Sequence, residues 1–368
     1  MELESEIKFA FLAQEYNLPG AVQKTAPIGS GHIHDTYLVE CADDDHSRFV
    51  LQKFNHHVFS NPQQVASNIW LVLEHIVKSG SSSGRQPLRL LKTKDDGLLF
   101  HSKRGDYWRL FNYIPGSDSV VQVTHPDQAY GAASAFGNFI NLLTGLDPQL
   151  LFTTIPDFHN LRVRFGQLTN AIVTDQAKRV AQYTREVEFA TQRETRINQY
   201  FSLANNEEIP LRITHNDTKI SNVLFKRGTT SAICVIDLDT VMPGLLLYDF
   251  GDMARTFCNS VLEDQEAEQA EFNLGIFKAL CLGFFKSIRT ALTQGEIDSL
   301  KVGPWWMTYI MGIRFLTDFL LGDIYYKTSY PRQNLYRARN QFRLLSEIEN
   351  KQDDISEIIN VTTKSLYS

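Results

Sequence analysis

The run His215-Asn216-Asp217-Thr218-Lys219-Ile220-Ser221-Asn222 sets a carboxylate and a side-chain amide on one short loop, and Asp237 follows the apolar stretch Cys234-Val235-Ile236. Phosphoryl transfer from a nucleoside triphosphate asks for little covalent chemistry from a protein. It needs an acid group to take the hydroxyl proton and hard oxygen ligands for the Mg²⁺ that neutralises the phosphates. Asp217, Asn222 and Asp237 supply these in order and spacing, as an H-x-D-x₄-N pattern with a downstream metal aspartate. Taken singly, each is a turn or cap residue of an Asx-rich hairpin. Together, between apolar strands, they favour phosphoryl transfer. His215 then supports the loop, and Asp239 is either a support or a ligand to a second Mg²⁺.

Other candidates lie further out. Gly29-Ser30-Gly31-His32 falls between two strand-like runs, where glycines let backbone N–H groups approach phosphates. The same pattern occurs in ordinary hairpin turns, and no G-x₄-G-K-[ST] motif is present, so a Walker-type ATPase is not supported. In the strand Arg48 to Phe54, alternation points Gln52 and Lys53 to opposite faces, and either could reach a phosphate. Glu74 is the candidate partner for a phosphate-binding lysine. Tyr248-Asp249-Phe250-Gly251-Asp252 opens a helical segment, where Asp249 and Asp252 are expected as caps that support the loop. Arg314 and Asp318 sit four residues apart in an apolar helix and are expected to pair.

The elements that must position these residues change character along the chain. Ala21 to Pro27, Thr36 to Cys41, Arg48 to Phe54, Leu88 to Leu91, Leu98 to His101 and Tyr107 to Tyr113 are strand-like. One helix is expected after Ser60-Asn61-Pro62, with Val65, Ile69, Val72, Leu73 and Ile76 at helical spacing. Beyond Pro115-Gly116, helical periodicity covers His125 to Leu143, Asp175 to Leu203, Asn259 to Leu292 and Glu296 to Leu321, interrupted by strand-like Arg212 to Ile236. An α+β chain results, with a small, mostly-β part, a hinge near 111–118 and a larger helical part.

Composition narrows the class of function. The 368 residues carry a net charge of −6 with 43% hydrophobic residues, and a chain without a basic stripe is a poor nucleic-acid binder. The acidic start does not read as a signal peptide. The apolar stretch Trp305 to Leu321 is broken by Arg314 and Asp318, so no membrane span is expected. Cys41, Cys234, Cys258 and Cys281 lack metal-ligand spacing and suit a reducing compartment. A cytoplasmic monomer is expected.

At this point the residues resemble a known family. Ile213 to Lys219, Val235-Ile236-Asp237-Leu238-Asp239-Thr240-Val241-Met242-Pro243-Gly244 and Tyr248 to Asp252 look like the aminoglycoside phosphotransferase/choline kinase superfamily. Within it they are most similar to the bacterial N-acetylhexosamine 1-kinases. The similarity runs over nearly the whole chain, including Gly29 to Tyr37, Trp108-Arg109, Phe136 to Phe139, Phe158-His159, Arg314 to Leu316 and Gly322 to Tyr325. It departs at His34, where many relatives carry Asn.

The resemblance implies a protein-kinase-like two-lobe fold, with a nucleotide-binding lobe over residues 1–112 and a helical catalytic and sugar-binding lobe over 113–368. It implies ATP and Mg²⁺, and phosphorylation of the anomeric hydroxyl of GlcNAc or GalNAc. Asp217 would be the base, with Asn222 and Asp237 holding Mg²⁺. Gly29, Ser30, Gly31, Gln52, Lys53, Phe111 and Tyr113 make up the expected nucleotide site. His32, Arg314 and Tyr325 join Asp217 at the sugar, which moves Arg314 from ion pair to substrate contact. The alternatives are a kinase of this fold acting on another sugar, a choline-like alcohol or an aminoglycoside, and a non-catalytic nucleotide-binding protein.

Overall fold

The β-branched and aromatic runs of the first hundred residues form one antiparallel sheet. Its strands are β1 (Ala21–Pro27), β2 (Asp35–Ala42), β3 (Arg48–Phe54), β4 (Leu90–Leu91), β5 (Phe100–His101) and β6 (Tyr107–Asn112), in the order β1-β2-β3-β6-β4 with β5 also on β6. This computed structural model describes residues 9, 13–28, 33–43, 45, 47–56, 58–79, 87–204, 207–265, 267–288 and 292–367. The register sets Gln52 of β3 opposite Thr36 of β2 and Arg109 of β6, so these three share one face. A core of Ala13, Tyr16, Val39, Leu51, Trp108 and Leu110 lies on the sheet, and the Tyr16 hydroxyl donates to the Trp108 carbonyl at 2.8 Å.

The expected helix is α1 (Pro62–Lys78), with Pro62 in its first turn and the Asn61 side chain accepting from the Gln64 N–H. Its buried face holds Val65, Ala66, Ile69, Val72 and Leu73, and one polar residue, Asn68. The Asn68 amide donates to the carbonyls of Phe152 (2.8 Å) and Val241 (3.0 Å) and accepts from the Phe152 N–H (2.8 Å). That side chain ties two distant segments to the helix. The chain accordingly divides into one unit of Met1–Ser117, Gly145–Ile155 and Cys234–Met242, and a second of Asp118–Thr144, Pro156–Ile233 and Pro243–Ser368. A single cut at residue 112 would have assigned 145–155 and 234–242 to the helical part.

The second unit is helical. It contains α2 (Pro126–Leu142), α3 (Leu161–Thr174), α4 (Thr184–Thr191), α5 (Glu194–Ala204), α6 (Leu246–Phe257), α7 (Leu274–Ser287), α8 (Gln294–Leu321), α9 (Gln333–Asn350) and α10 (Gln352–Tyr367). The expected helix over Asp175 to Leu203 is instead a 3-10 turn followed by α4 and α5. Few residues there are buried (Ala190, Ile197 and Ala204), so no continuous apolar stripe enforces one helix. Likewise the segment from Asn259 holds a 3-10 turn at Ala267–Gln269 and becomes α-helical only after the Asn273 cap. Helix α8 starts at a Thr293/Glu296 capping box and ends at Gly322, whose φ of 102° suits glycine. It buries Trp305, Trp306 and Tyr309. Glycines bring α6 and α8 into backbone contact, since a Cβ on Gly251 would overlap the carbonyl of Gly303. No helix among the described residues is long and apolar enough to cross a membrane.

Candidate active site

Within the helical unit, the short strand β7 (Arg212–Thr214) delivers the chain to His215. Asp249, in the first turn of α6, accepts the backbone N–H groups of His215 (2.8 Å) and Asn216 (2.7 Å), and its carbonyl accepts the Thr218 hydroxyl (2.7 Å). These bonds hold Asn216 at φ 63°, a left-handed conformation that asparagine tolerates. The His215 ring lies edge-on to Phe136 and Phe139. Its Nδ1 accepts the Asp217 N–H, so the ring proton sits on Nε2.

A 3-10 turn at Ile220–Asn222 then folds the loop back on itself. The Asn222 Nδ2 donates to the Asp217 carbonyl (2.8 Å) and to its Oδ2 (2.9 Å), and the Lys219 ammonium lies 2.8 Å from the same Oδ2. Burial opposes ionisation of Asp217, but Lys219, His215 and the Asn222 hydrogen bond outweigh it and hold the carboxyl below its usual range. With its nitrogen turned to Asp217, Asn222 has an amide oxygen left to offer a hard cation. Asp249 is pushed the other way, up to about 6. Its burial outweighs the influence of His215 and of the two N–H donors.

The remaining aspartates of the motif lie in the sheet-containing unit. Asp237 is exposed and left-handed (φ 61°), at the start of the 3-10 turn Leu238–Thr240. Asp239 is buried, and both its oxygens accept from the Arg109 guanidinium, while His34 Nε2 donates to Oδ2. The Asn55 N–H donates to His34 Nδ1, which leaves the ring proton on Nε2. Burial disfavours the Asp239 carboxylate, but Arg109 and His34 outweigh it and hold its pKa well below the usual range. Arg109 Nε also donates to Gln52 Oε1 (2.9 Å), and Gln52 Nε2 to Thr36 Oγ1 (3.2 Å). Lys53, on the opposite face, pairs with Asp106 at 2.8 Å. Phe111 shares the Arg109 face, and Arg48 covers the Tyr113 ring. Gly29, Ser30, Gly31 and His32 lie outside the described residues.

Helix α8 carries Arg314. The spacing predicted an ion pair with Asp318; the structure does not form it. Asp318 instead accepts the backbone N–H groups of Ile324 (3.0 Å), Tyr325 (2.8 Å) and Tyr326 (2.9 Å) and the Asn334 amide (2.9 Å). Gly322 turns the chain back over the helix end and offers Asp318 these fixed donors. Arg314 is left over the rings of Phe158, Tyr325 and Tyr326. Next to Phe158, His159 Nε2 donates to the Asn216 carbonyl at 3.1 Å, and the Trp306 indole donates to the His159 carbonyl.

Sequence reasoning did not single out Lys219, Arg164 or the Arg109 role. Lys219, two residues past Asp217 on the same loop, was open to that reasoning. The Arg109–Asp239 bond spans 130 residues and carries no local signal.

The profile of the phosphotransferase enzyme family matches residues 24–281. The chain belongs to this family. Three solved structures extend the likeness over both chains. A microcompartment-associated aminopropanol kinase is 13% identical with a TM-score of 0.63, over 95% of this chain and 99% of that one. A spectinomycin phosphotransferase in complex with ADP and spectinomycin is 10% identical with a TM-score of 0.61, over 97% and 98%. A choline kinase from Cryptosporidium parvum is 13% identical with a TM-score of 0.55, over 98% and 99%. At such identities the likeness is one of fold. This phosphotransferase has a protein-kinase-like fold, with an N-terminal antiparallel sheet and a larger helical C-terminal part.

Proposed function

We propose that the protein transfers the γ-phosphoryl group of ATP to the anomeric C1 hydroxyl of an N-acetylhexosamine, GlcNAc or GalNAc. The observation that carries it is the Asp217 carboxylate, held ionised by Lys219 and Asn222 on a backbone clamped by Asp249. The sugar assignment is supported by the similarity of Asp237 to Gly244 and of the Arg314 and Tyr325 regions to N-acetylhexosamine 1-kinases. The nucleotide is supported by family membership and by the ADP bound to the spectinomycin phosphotransferase.

In this reading Asp217 takes the proton of the sugar hydroxyl as its oxygen attacks the γ-phosphorus. The new O–P bond forms as the bond to the bridging oxygen breaks, and ADP leaves with that electron pair. Lys219 steadies the Asp217 carboxylate, and Arg314 and Tyr325 hold the sugar. Asn222 and Asp237 offer an amide oxygen and an exposed carboxylate, donors that fit a hard cation. Among the described residues no three His, Cys, Asp or Glu side chains gather into a cage. Bound Mg²⁺ supplies neutralisation of the phosphate charge.

The test is ADP release with Mg²⁺-ATP over GlcNAc, GalNAc, glucose, galactose, choline and kanamycin, followed by phosphorus NMR of the product. A sugar 1-phosphate from GlcNAc or GalNAc is expected. Turnover with choline or kanamycin alone overturns the substrate and keeps the reaction. Silence over the whole panel counts against both.

A further inference from the structure

Two guanidinium groups meet at Phe158 in the helical unit. Arg164, on α3, donates its Nε to the Phe158 carbonyl at 3.1 Å and its Nη1 to Gln167 at 3.0 Å. Arg314, on α8, sits 5.0 Å from the centre of the Phe158 ring and 5.9 Å and 5.5 Å from the rings of Tyr325 and Tyr326. The Arg314 guanidinium has one hydrogen-bonding contact among the described residues, to the Met311 sulfur, and neither arginine has a carboxylate partner there. Burial lowers the Arg164 pKa, and the Arg314 charge lowers it further. The neighbouring acids are committed elsewhere: Asp318 to backbone N–H groups, Asp323 to Arg179 and Glu263 to Arg255. Asp157, bound to the Asn160 amide, is the acid that still acts on Arg164.

The pair is linked to the reacting end of the site. The His159 ring packs on Phe158, and its Nε2 reaches the carbonyl of Asn216, one residue before Asp217. Burial, then Arg314, lowers the His159 pKa to about 3, so it adds no charge. Among the described residues its Nδ1 and the Tyr326 hydroxyl are both buried without a hydrogen-bond partner.

We propose that Arg164 and Arg314 form a cationic wall of the acceptor site, which holds the acceptor by a carbonyl or carboxylate oxygen and turns away acceptors bearing an ammonium group. Guanidinium N–H groups are matched donors for such oxygens. An ammonium would need open aromatic faces or free carboxylates, and here Arg314 already covers the ring faces. The inference rests on the proposed role of Asp217 as the acceptor base.

The test compares GlcNAc, glucose and glucosamine, which differ only at C2, near pH 6.5 where the glucosamine amine is protonated. The expected order of kcat/KM is GlcNAc, glucose, glucosamine, with glucosamine at least about tenfold below glucose and the gap narrowing as salt is added. Arg164→Gln should shrink that gap several-fold, and Arg164→Lys, which keeps the charge, should preserve it. Glucosamine used as well as glucose overturns the proposal, as does a gap indifferent to Arg164→Gln. If no sugar is phosphorylated, the sugar reading fails, and calorimetry on the protein with Mg²⁺-ADP decides the wall. Binding of GlcNAc but not of choline or kanamycin sustains it. Binding of either cation, or silence from all three, overturns it.

Discussion

The Asp249 carboxylate accepts the Asn216 N–H at 2.7 Å, and Asn216 stands in the left-handed region immediately before Asp217. The helix that begins at Leu246 therefore sets the backbone of the loop carrying the proposed base.

Asp249→Asn replaces an acceptor with a donor facing backbone N–H groups and should cost about 2 kcal/mol of stability. The effect depends on pH. Because the folded pKa, about 6, lies above the usual 3.8, the protonated carboxyl favours the folded chain. That contribution is full below pH 3.8 and is lost as pH rises through about 6. Wild-type stability should thus gain about 1 kcal/mol on the Asn variant between roughly pH 7.5 and pH 5. Denaturant melts at both pH values measure it, and a constant difference would contradict the assignment.

Asp217→Asn keeps the size of the side chain and removes the base. Turnover should fall by about 10² to 10⁴, while Mg²⁺-ATP binding, followed by calorimetry, stays near wild type. Near-normal turnover would remove Asp217 from its proposed role.

Asp318→Ala deprives three loop N–H groups of their acceptor. With water able to replace part of the loss in this half-exposed loop, stability should drop by about 1–3 kcal/mol. The acceptor KM should rise and the ATP KM should not. Equal increases in both would mean general damage rather than misplacement of Tyr325.

Arg109→Met leaves the buried Asp239 carboxylate with His34 alone, and removing one partner of a buried pair costs about 3–5 kcal/mol. Adding Asp239→Leu should recover part of that loss, because the charge left behind is gone. A double variant as unstable as the sum of the single ones would sink this account.

Gly251→Ala places a methyl group against the Gly303 carbonyl and the Met307 side chain. Separating α6 from α8 should cost about 1–3 kcal/mol. An unchanged melting temperature would show that the helices part freely.

Much of this was written locally. The spacing of Asp217 and Asn222 on one short loop, the Pro62 start of α1 and the alternation that sends Gln52 and Lys53 to opposite faces need only neighbours in the chain. Helix α3 was not anticipated because only Leu161, Leu168 and Ala171 of it are buried, too few for a clear stripe. The chain by itself determined the strands of the sheet, α1 and the residue types on the Asp217 loop, because dihedral preferences and periodicity act over a few residues. Tertiary structure alone decided the partners of the buried charges. Asp239 is satisfied by Arg109, 130 residues away, and Asp318 by the backbone beyond Gly322 rather than by Arg314. A buried carboxylate takes the donors that packing holds fixed around it, and sequence spacing does not specify which those are.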